Sequence, residues 1–307
     1  MAAGTTGTSQ IDDAVEKFLA ESRFTLQERP GPVKSSIRVE NLPANSGPSV
    51  NIPKYGTVTT FALQEGVDMV QAQQITDTLM TLTPSEFGAQ VVLTDLMLME
   101  SKDEFFGVAG RILGESFDRQ QDQVLCDDFD NFSVQVGGAG TALTIGALMA
   151  MTAQIKGGYG ADGGAGRGGE PAPDPITSIH APQTIHSLRK SMVGHTAGAV
   201  VQATGGVASM GAAPNLGGGL STEFSVEGTN VKSDLNLKKD SSDDIKGGHF
   251  SRESTILVTL GAEADVEKER DASLRAWELN FVGRWARGEY NDAWGREAFY
   301  DASRPTS

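Results

Sequence analysis

Cysteine is all but absent from the sequence, with Cys126 alone among 307 residues. A single thiol cannot close an intrachain disulfide, and this one belongs to no CxxC or Cys/His array. A disulfide scaffold and a cysteine zinc site are thereby excluded, and a buried apolar thiol is the expected role. Basic residues are also scarce, 25 Lys and Arg against 40 Asp and Glu, for a formal charge of −15. Phosphate binding needs a basic stripe and these cations are scattered, which excludes a broad nucleic-acid footprint. The acidity reads as solubility. Long apolar runs are missing too. No stretch has the roughly 20 apolar residues of a membrane span, and the opening MAAGTTGTSQ lacks the basic and apolar regions of a signal peptide. The expectation is a chain soluble in a cytoplasm, and at 38% hydrophobic one able to bury a substantial core.

Catalytic signatures are missing as well. Gly158, Gly160 and Gly163 match G-x-G-x-x-G, but a dinucleotide loop follows a strand and opens a helix, whereas this one follows a helix and runs into more glycine. No G-x-x-x-x-G-K-[ST] loop and no G-x-S-x-G elbow is present. His180, His186, His195 and His249 lack the i, i+4 spacing of a metal-binding helix and read as caps or packing. Asp127, Asp128 and Asp130 lack the further oxygens and central glycine of a calcium loop, and Phe132 stands in a ligand slot. A solvated acidic patch is expected there.

What the sequence does contain is a helix. From Lys102 to Phe132 apolar residues recur on one stripe, Phe106, Leu113, Phe117 and Val124, with Phe105, Ala109 and Ile112 beside it. Arg111, Asp118, Gln121 and Asp122 fall elsewhere on the wheel. Such a helix would be about 45 Å long, which suggests a flat or elongated molecule. Gly107, Gly110 and Gly114 are costly in a helix and hint at close packing. Before it, residues 11–26 carry helical spacing, and 29–53 are rich in Pro, Ser and Asn, an extended arm that cannot bury itself.

Thr57 to Leu63 and Gln74 to Leu82 read as two strands joined by a polar turn around Glu65, Gly66 and Asp68. An isolated hairpin is marginal in water and needs support from elsewhere. Gln90 to Met99 is apolar enough for a buried strand or a lead-in to the helix. Past the helix, Thr144 is a plausible N-cap for a second helix ending at Lys156 and Gly157, with Ile145, Leu148, Met149 and Ile155 inward. Residues 157–174 form a glycine-rich loop. Ile176 to Ala181 reads as a strand, and Pro182 opens a helix that buries Ile185, Leu188 and Met192. Residues 194–248 are too glycine-rich to resolve beyond irregular sheet. Ser254 to Leu260 reads as a buried strand, and Asp271 to Arg287 as a strand or a helix, the aromatics Trp277, Phe281 and Trp285 favouring strand.

This order of parts resembles the major capsid proteins of tailed bacteriophages, the Hong Kong ninety-seven fold. FALQEGVDMVQAQQIT followed by GAQVVLTDLMLM looks like that family's extended loop and its return into the spine helix. GALMAMTAQIK followed by PDPITSIHAPQTIHSLRKSM looks like its axial domain, and EKERDASLRAWELNFVGRWARGEYNDAWG like its closing peripheral strands. The resemblance covers most of Gly56 to Ala302 and rests on pattern and order.

The resemblance implies an α+β fold with an N-terminal helix and arm over 1–53, an extended two-stranded loop over 54–90, and a peripheral domain with the spine helix over 91–135. An axial domain follows over 136–250, and closing peripheral strands over 251–307. It further implies a structural protein, no enzyme and no cofactor, self-assembling as pentamers and hexamers into an icosahedral head. The head encloses packaged double-stranded DNA without sequence-specific binding. The loop tip, Leu63, Glu65, Gly66, Val67 and Asp68, would lie on an adjacent subunit. Other implied partners are a portal protein and separate scaffolding and decoration proteins, with no membrane; the location is the virion, assembled in the host cytoplasm.

Two departures stand out. Some relatives crosslink through a lysine in the extended loop, but Thr57 to Gln90 contains none, so no such crosslink is expected. About fifty residues precede the hairpin, so a separate scaffolding protein, or none, is expected rather than a long built-in one. The rival readings are an encapsulin-like bacterial compartment and an enzyme with a glycine-rich lid at 157–169, the latter lacking a nucleophile, base and metal constellation.

Overall fold

The computed structural model describes residues 31–43, 47–100 apart from 57, 59, 67 and 71, 104–158, 170–196, 224–260 and 265–306. The helix expected over 11–26, Val67, Gly160, Gly163 and most of the two glycine-rich segments lie outside these residues.

The first sheet is built on the long strand β12 (Ala276–Glu289). Its alternation buries Leu279, Phe281 and Trp285, as the extended reading of those aromatics requires. One edge pairs antiparallel with β4 (Ser85–Thr94) along ten residues, from Ser85 opposite Trp285 to Thr94 opposite Ala276. The other edge pairs first with β11 (Asp265–Asp271) and then with β10 (Thr255–Leu260). Outside β10 lies β1 (Arg38–Leu42), parallel, with Arg38 opposite Ile256. Residues of the arm are therefore ordered by lying on the chain's own sheet.

The second sheet runs β5 (Gln135–Gly137), β13 (Gly295–Asp301), β9 (Asp244–Ser251), β6 (Ile176–His180), β8 (Thr229–Ser233) and β7 (Phe224–Val226). Two helices cover it. In α3 (Ile145–Lys156) the Thr144 hydroxyl accepts the Ala147 N–H at 3.3 Å, the expected N-cap. The buried face is Leu148, Met151 and Ile155, while the expected Met149 is exposed. Gly157 is the C-cap, as expected, and the left-handed residue past it is Gly158, φ 68°. In α4 (Pro182–Thr196) Ile185 and Leu188 pack with Leu148, Met151, Val231 and Tyr300 in a second core.

The expected long helix is α2 (Glu104–Asp127), closed by a 3₁₀ turn over Asp128–Asn131, and a short helix α1 (Asp95–Glu100) lies before it in the chain, residues 101–103 being outside those described. Leu113, Phe117, Leu125 and Cys126 are buried, Ile112 is exposed, and Gly110 and Gly114 are buried. The 3₁₀ turn drives Phe129 and Phe132 inward, where Phe129 stacks on Phe250 with centroids 5.3 Å apart. Phe117 meets Phe281 edge-on at 5.2 Å, joining the helix to the first sheet. This shared core also takes in Val33, Ile37 and Ile179, so both sheets close on the helix.

Three expectations are corrected. The strand facing 77–82 is β2 (Val50–Tyr55), not Thr57 to Leu63, with Val50 opposite Leu82 and Tyr55 opposite Asp77. Pro48 and Pro53 disguised it as linker, and Pro53 is tolerated because an edge strand leaves one side unpaired. Gln90 to Met99 is strand up to Thr94 and a helical lead-in from Asp95, and of its side chains described only Leu93 is fully buried, so the strand half is not the buried one expected. Gln121 and Asp122, assigned to the outer face of the spine helix, are buried, Asp122 because the segment preceding β1 covers it.

Candidate assembly surface

The two-stranded loop has a well-held base and an unsupported body. Strands β2 and β3 (Asp77–Leu82) place Ile52 and Leu82 on Ile256, Val258 and Ala286 of the first sheet. Lys54 pairs with Glu170 at 3.0 Å, and the same carboxylate accepts the Asn291 side-chain amide at 2.7 Å. Those two donors hold the Glu170 carboxyl below its usual range. The Trp294 indole N–H donates to the Glu170 carbonyl at 3.0 Å, and the Tyr290 hydroxyl to the Pro53 carbonyl at 3.4 Å.

Beyond Tyr55 the chain leaves this support. Its described residues up to β3 form no strand and are exposed throughout, among them the apolar side chains of Val58, Phe61, Leu63, Met69, Val70 and Ile75. Glu65 and Gly66 make the expected turn, with Gly66 at φ 81°, a conformation that favours glycine. Of the tip residues singled out from sequence, Leu63, Glu65, Gly66 and Asp68 are all exposed on this loop. Val67 is outside the described residues. So many apolar side chains in one extended excursion form a surface that a lone soluble subunit gains nothing by displaying.

The arm's anchorage was not foreseen. The Val33 N–H donates to Asp122 Oδ1 and the Gly31 N–H to Asp118 Oδ1, each at 3.2 Å. From the far side the Asn236 amide donates to Asp122 Oδ2 at 2.8 Å. Asp234 sits beside it, accepting the Asn236 N–H at 2.8 Å and the Cys126 thiol at 3.6 Å. Burial and the neighbouring Asp234 carboxyl push Asp122 up to about 8, and burial with the same carboxylates raises the thiol. A sequence signal existed: acids at 118 and 122, one turn apart on the helix.

Among the described residues, Asp122, Cys126 and Asp234 are the one group of His, Cys, Asp and Glu side chains close enough to share an ion, their atoms lying within 4.8 Å. The thiol is held in its neutral form and the carboxyl oxygens already accept N–H donors, so the group reads as a buried acid pair held by donors from three pieces of chain. The acidic patch at 127–130 is only partly solvated. Asp127 and Asp130 are exposed, while Asp128 pairs with Arg287 at 2.7 Å and is pushed up to about 6 by burial. His180 and His249 are buried and packed: His180 meets the Ser178 hydroxyl at 2.7 Å and His249 the Thr152 hydroxyl at 3.3 Å. Burial pulls both down to about 3, so they stay neutral. Among the described residues no helix is long and apolar enough to cross a membrane.

No family model and no curated protein matches the chain. Solved structures do. The capsid of Ralstonia phage GP4 is similar with a TM-score of 0.64 at 12% identity, over 88% of each chain. The head structure of Helicobacter pylori bacteriophage KHP40 is similar at 0.63 and 10% identity, over 86% of this chain and 87% of that one. Mycobacterium phage Che8 is similar at 0.56 and 13% identity, over 85% and 86%. The chain has the fold of the phage major capsid proteins, the α+β fold that its order of elements implied.

Proposed function

We propose that this protein is the major capsid protein of a tailed double-stranded DNA bacteriophage, a structural protein without catalytic activity. Copies assemble as pentamers and hexamers into the icosahedral head, and the protein resides in the virion after assembly in the host cytoplasm. The observation that carries the reading is the conjunction of a capsid fold over more than four-fifths of the chain with an extended loop whose apolar side chains are exposed. In a shell those side chains are covered by the neighbouring copy. The loop tip at Leu63, Glu65, Gly66, Val67 and Asp68 is the inter-subunit contact. A net charge of −15 suits a container that holds DNA without binding it, because acidic walls repel phosphate and leave the genome free to leave. A portal protein is a further partner, with a separate scaffolding protein, or none, and decoration proteins where the shell carries them.

Negative-stain electron microscopy of the purified chain, alone and co-expressed with its neighbouring genes, tests this. Closed shells or rings of five and six support it. Only monomers or dimers under both conditions would overturn it, and shells that enclose protein cargo rather than DNA would favour an encapsulin-like compartment.

A further inference from the structure

The acid pair beneath the arm does more than hold a turn in place. Residues 31–36 reach the spine helix through two backbone N–H donors, and both acceptors are carboxylates of α2, Asp118 and Asp122. Gly31 lies so close to Asp122 that a Cβ there would overlap its carboxyl group. Val33 and Ile37 are buried immediately above. On the opposite side the turn after β8 supplies Asp234 and Asn236, and the Asp234 N–H is tied to the His180 carbonyl at 3.0 Å. One carboxyl group, Asp122, therefore joins three separated pieces of chain: the segment preceding β1, the spine helix and the 234–236 turn.

We propose that the Asp122 carboxyl, buried beside Asp234, is a proton-operated latch, which when protonated fastens residues 31–36 to the spine helix and when ionised loosens them. The reasoning is electrostatic. Among the described residues, the charged or titratable groups facing the pair are Lys34 from the arm, Asp118 and Cys126 from the spine helix, and each other. The thiol is neutral, so with both acids ionised three carboxylates face one ammonium in a buried space. Two buried carboxyl groups with oxygens within 4.8 Å of each other repel when both are ionised. Once the segment lifts, water reaches both groups and Asp122 returns toward its ordinary value near 4. The undocked form thus releases a proton that the docked form keeps. The sign is fixed: the latch is tight in acid, weakens as pH rises from about 4 to about 8, and changes no further above that. One released proton corresponds to as much as about a tenfold rise in the undocked fraction per pH unit within the window.

Amide hydrogen exchange of the purified full-length protein between pH 5 and 9, corrected for the chemical exchange rate, reads the undocked fraction directly. The peptide spanning 31–37 should lose protection steeply up to about pH 8 and then level off, while a peptide over β6 should not follow it. Asp234→Asn should remove most of the slope. It removes the neighbouring acid, and its carbonyl can still accept the Asn236 N–H. Asp118, raised by burial in the same direction, leaves a shallow remainder. Asp122→Asn is the second variant, with the same expected flattening. A wild-type profile that is flat over 31–37, or equally steep in every peptide, would overturn the proposal even if neither variant folds. So would a wild-type slope retained in both variants.

Discussion

Replacing Leu63, Met69, Val70 and Ile75 together with serine separates folding from assembly. These side chains are 62%, 65%, 84% and 66% exposed in the subunit, so the fold has little to lose from them, within about 0.5 kcal/mol per site. Covering such a side chain completely is worth about 1.5–3 kcal/mol. Roughly two-thirds of that is still to be gained when a neighbour covers it, or about 4–8 kcal/mol for the four. Ordering an extended loop and the overestimate inherent in area bookkeeping remove about half. Some 2–4 kcal/mol per subunit remains, equivalent to about a 30- to 700-fold rise in the concentration needed for assembly. Sedimentation velocity across a dilution series measures that threshold, and thermal unfolding of the dissociated subunit checks the fold. An unchanged threshold would refute the assignment of the loop as a buried contact. A large loss of subunit stability would show that these side chains already pack within the chain.

Other consequences concern the core and its charges. A Cβ added at Gly248 would stand 2.5 Å from the Phe129 ring, so Gly248→Ala should cost about 1–3 kcal/mol, and adding Phe129→Leu should recover part of it in urea denaturation. Glu289 is pushed up to about 7 by burial and by Asp292 and Asp128. Its folded value exceeds the unfolded one, so the stability it contributes is complete below about pH 4.5 and is lost as pH rises to about 7. Glu289→Gln should flatten that part of the denaturation profile and leave the protein about 1–3 kcal/mol more stable than wild type at pH 8. Removing the cap with Thr144→Ala should cost about 1 kcal/mol in the same assay.

The parts readable in the sequence were those whose local signals agree with their tertiary role. Thr144 capping α3, Pro182 opening α4 and the aromatic alternation of β12 all needed only neighbours along the chain. What was missed depends on distant partners. Strand β2 carries Pro53 and follows Pro48, which locally spells linker, and it is a strand only because Leu82 and Met80 stand opposite Val50 and Ile52. Asp122 looks like a solvent-facing position until the arm, paired with β10 more than two hundred residues away, folds over it. Asp128 could not be told from Asp127 and Asp130 without Arg287 beside it. The loop tip was legible because its turn chemistry is local, through Glu65 and Gly66, although its role as a contact is not a local property.

The central claim is that the loop tip rests on another copy of the chain. Cys126 is buried with its thiol held neutral, so Glu65→Cys places the chain's one accessible thiol at the tip, where a benzophenone maleimide can be attached. Irradiation of assembled particles should give a ladder of covalent oligomers on a denaturing gel. Wild-type particles, with no lysine between Thr57 and Gln90, should give monomer alone. A monomer band from the labelled particles, with the probe joined only to its own chain, would contradict the account.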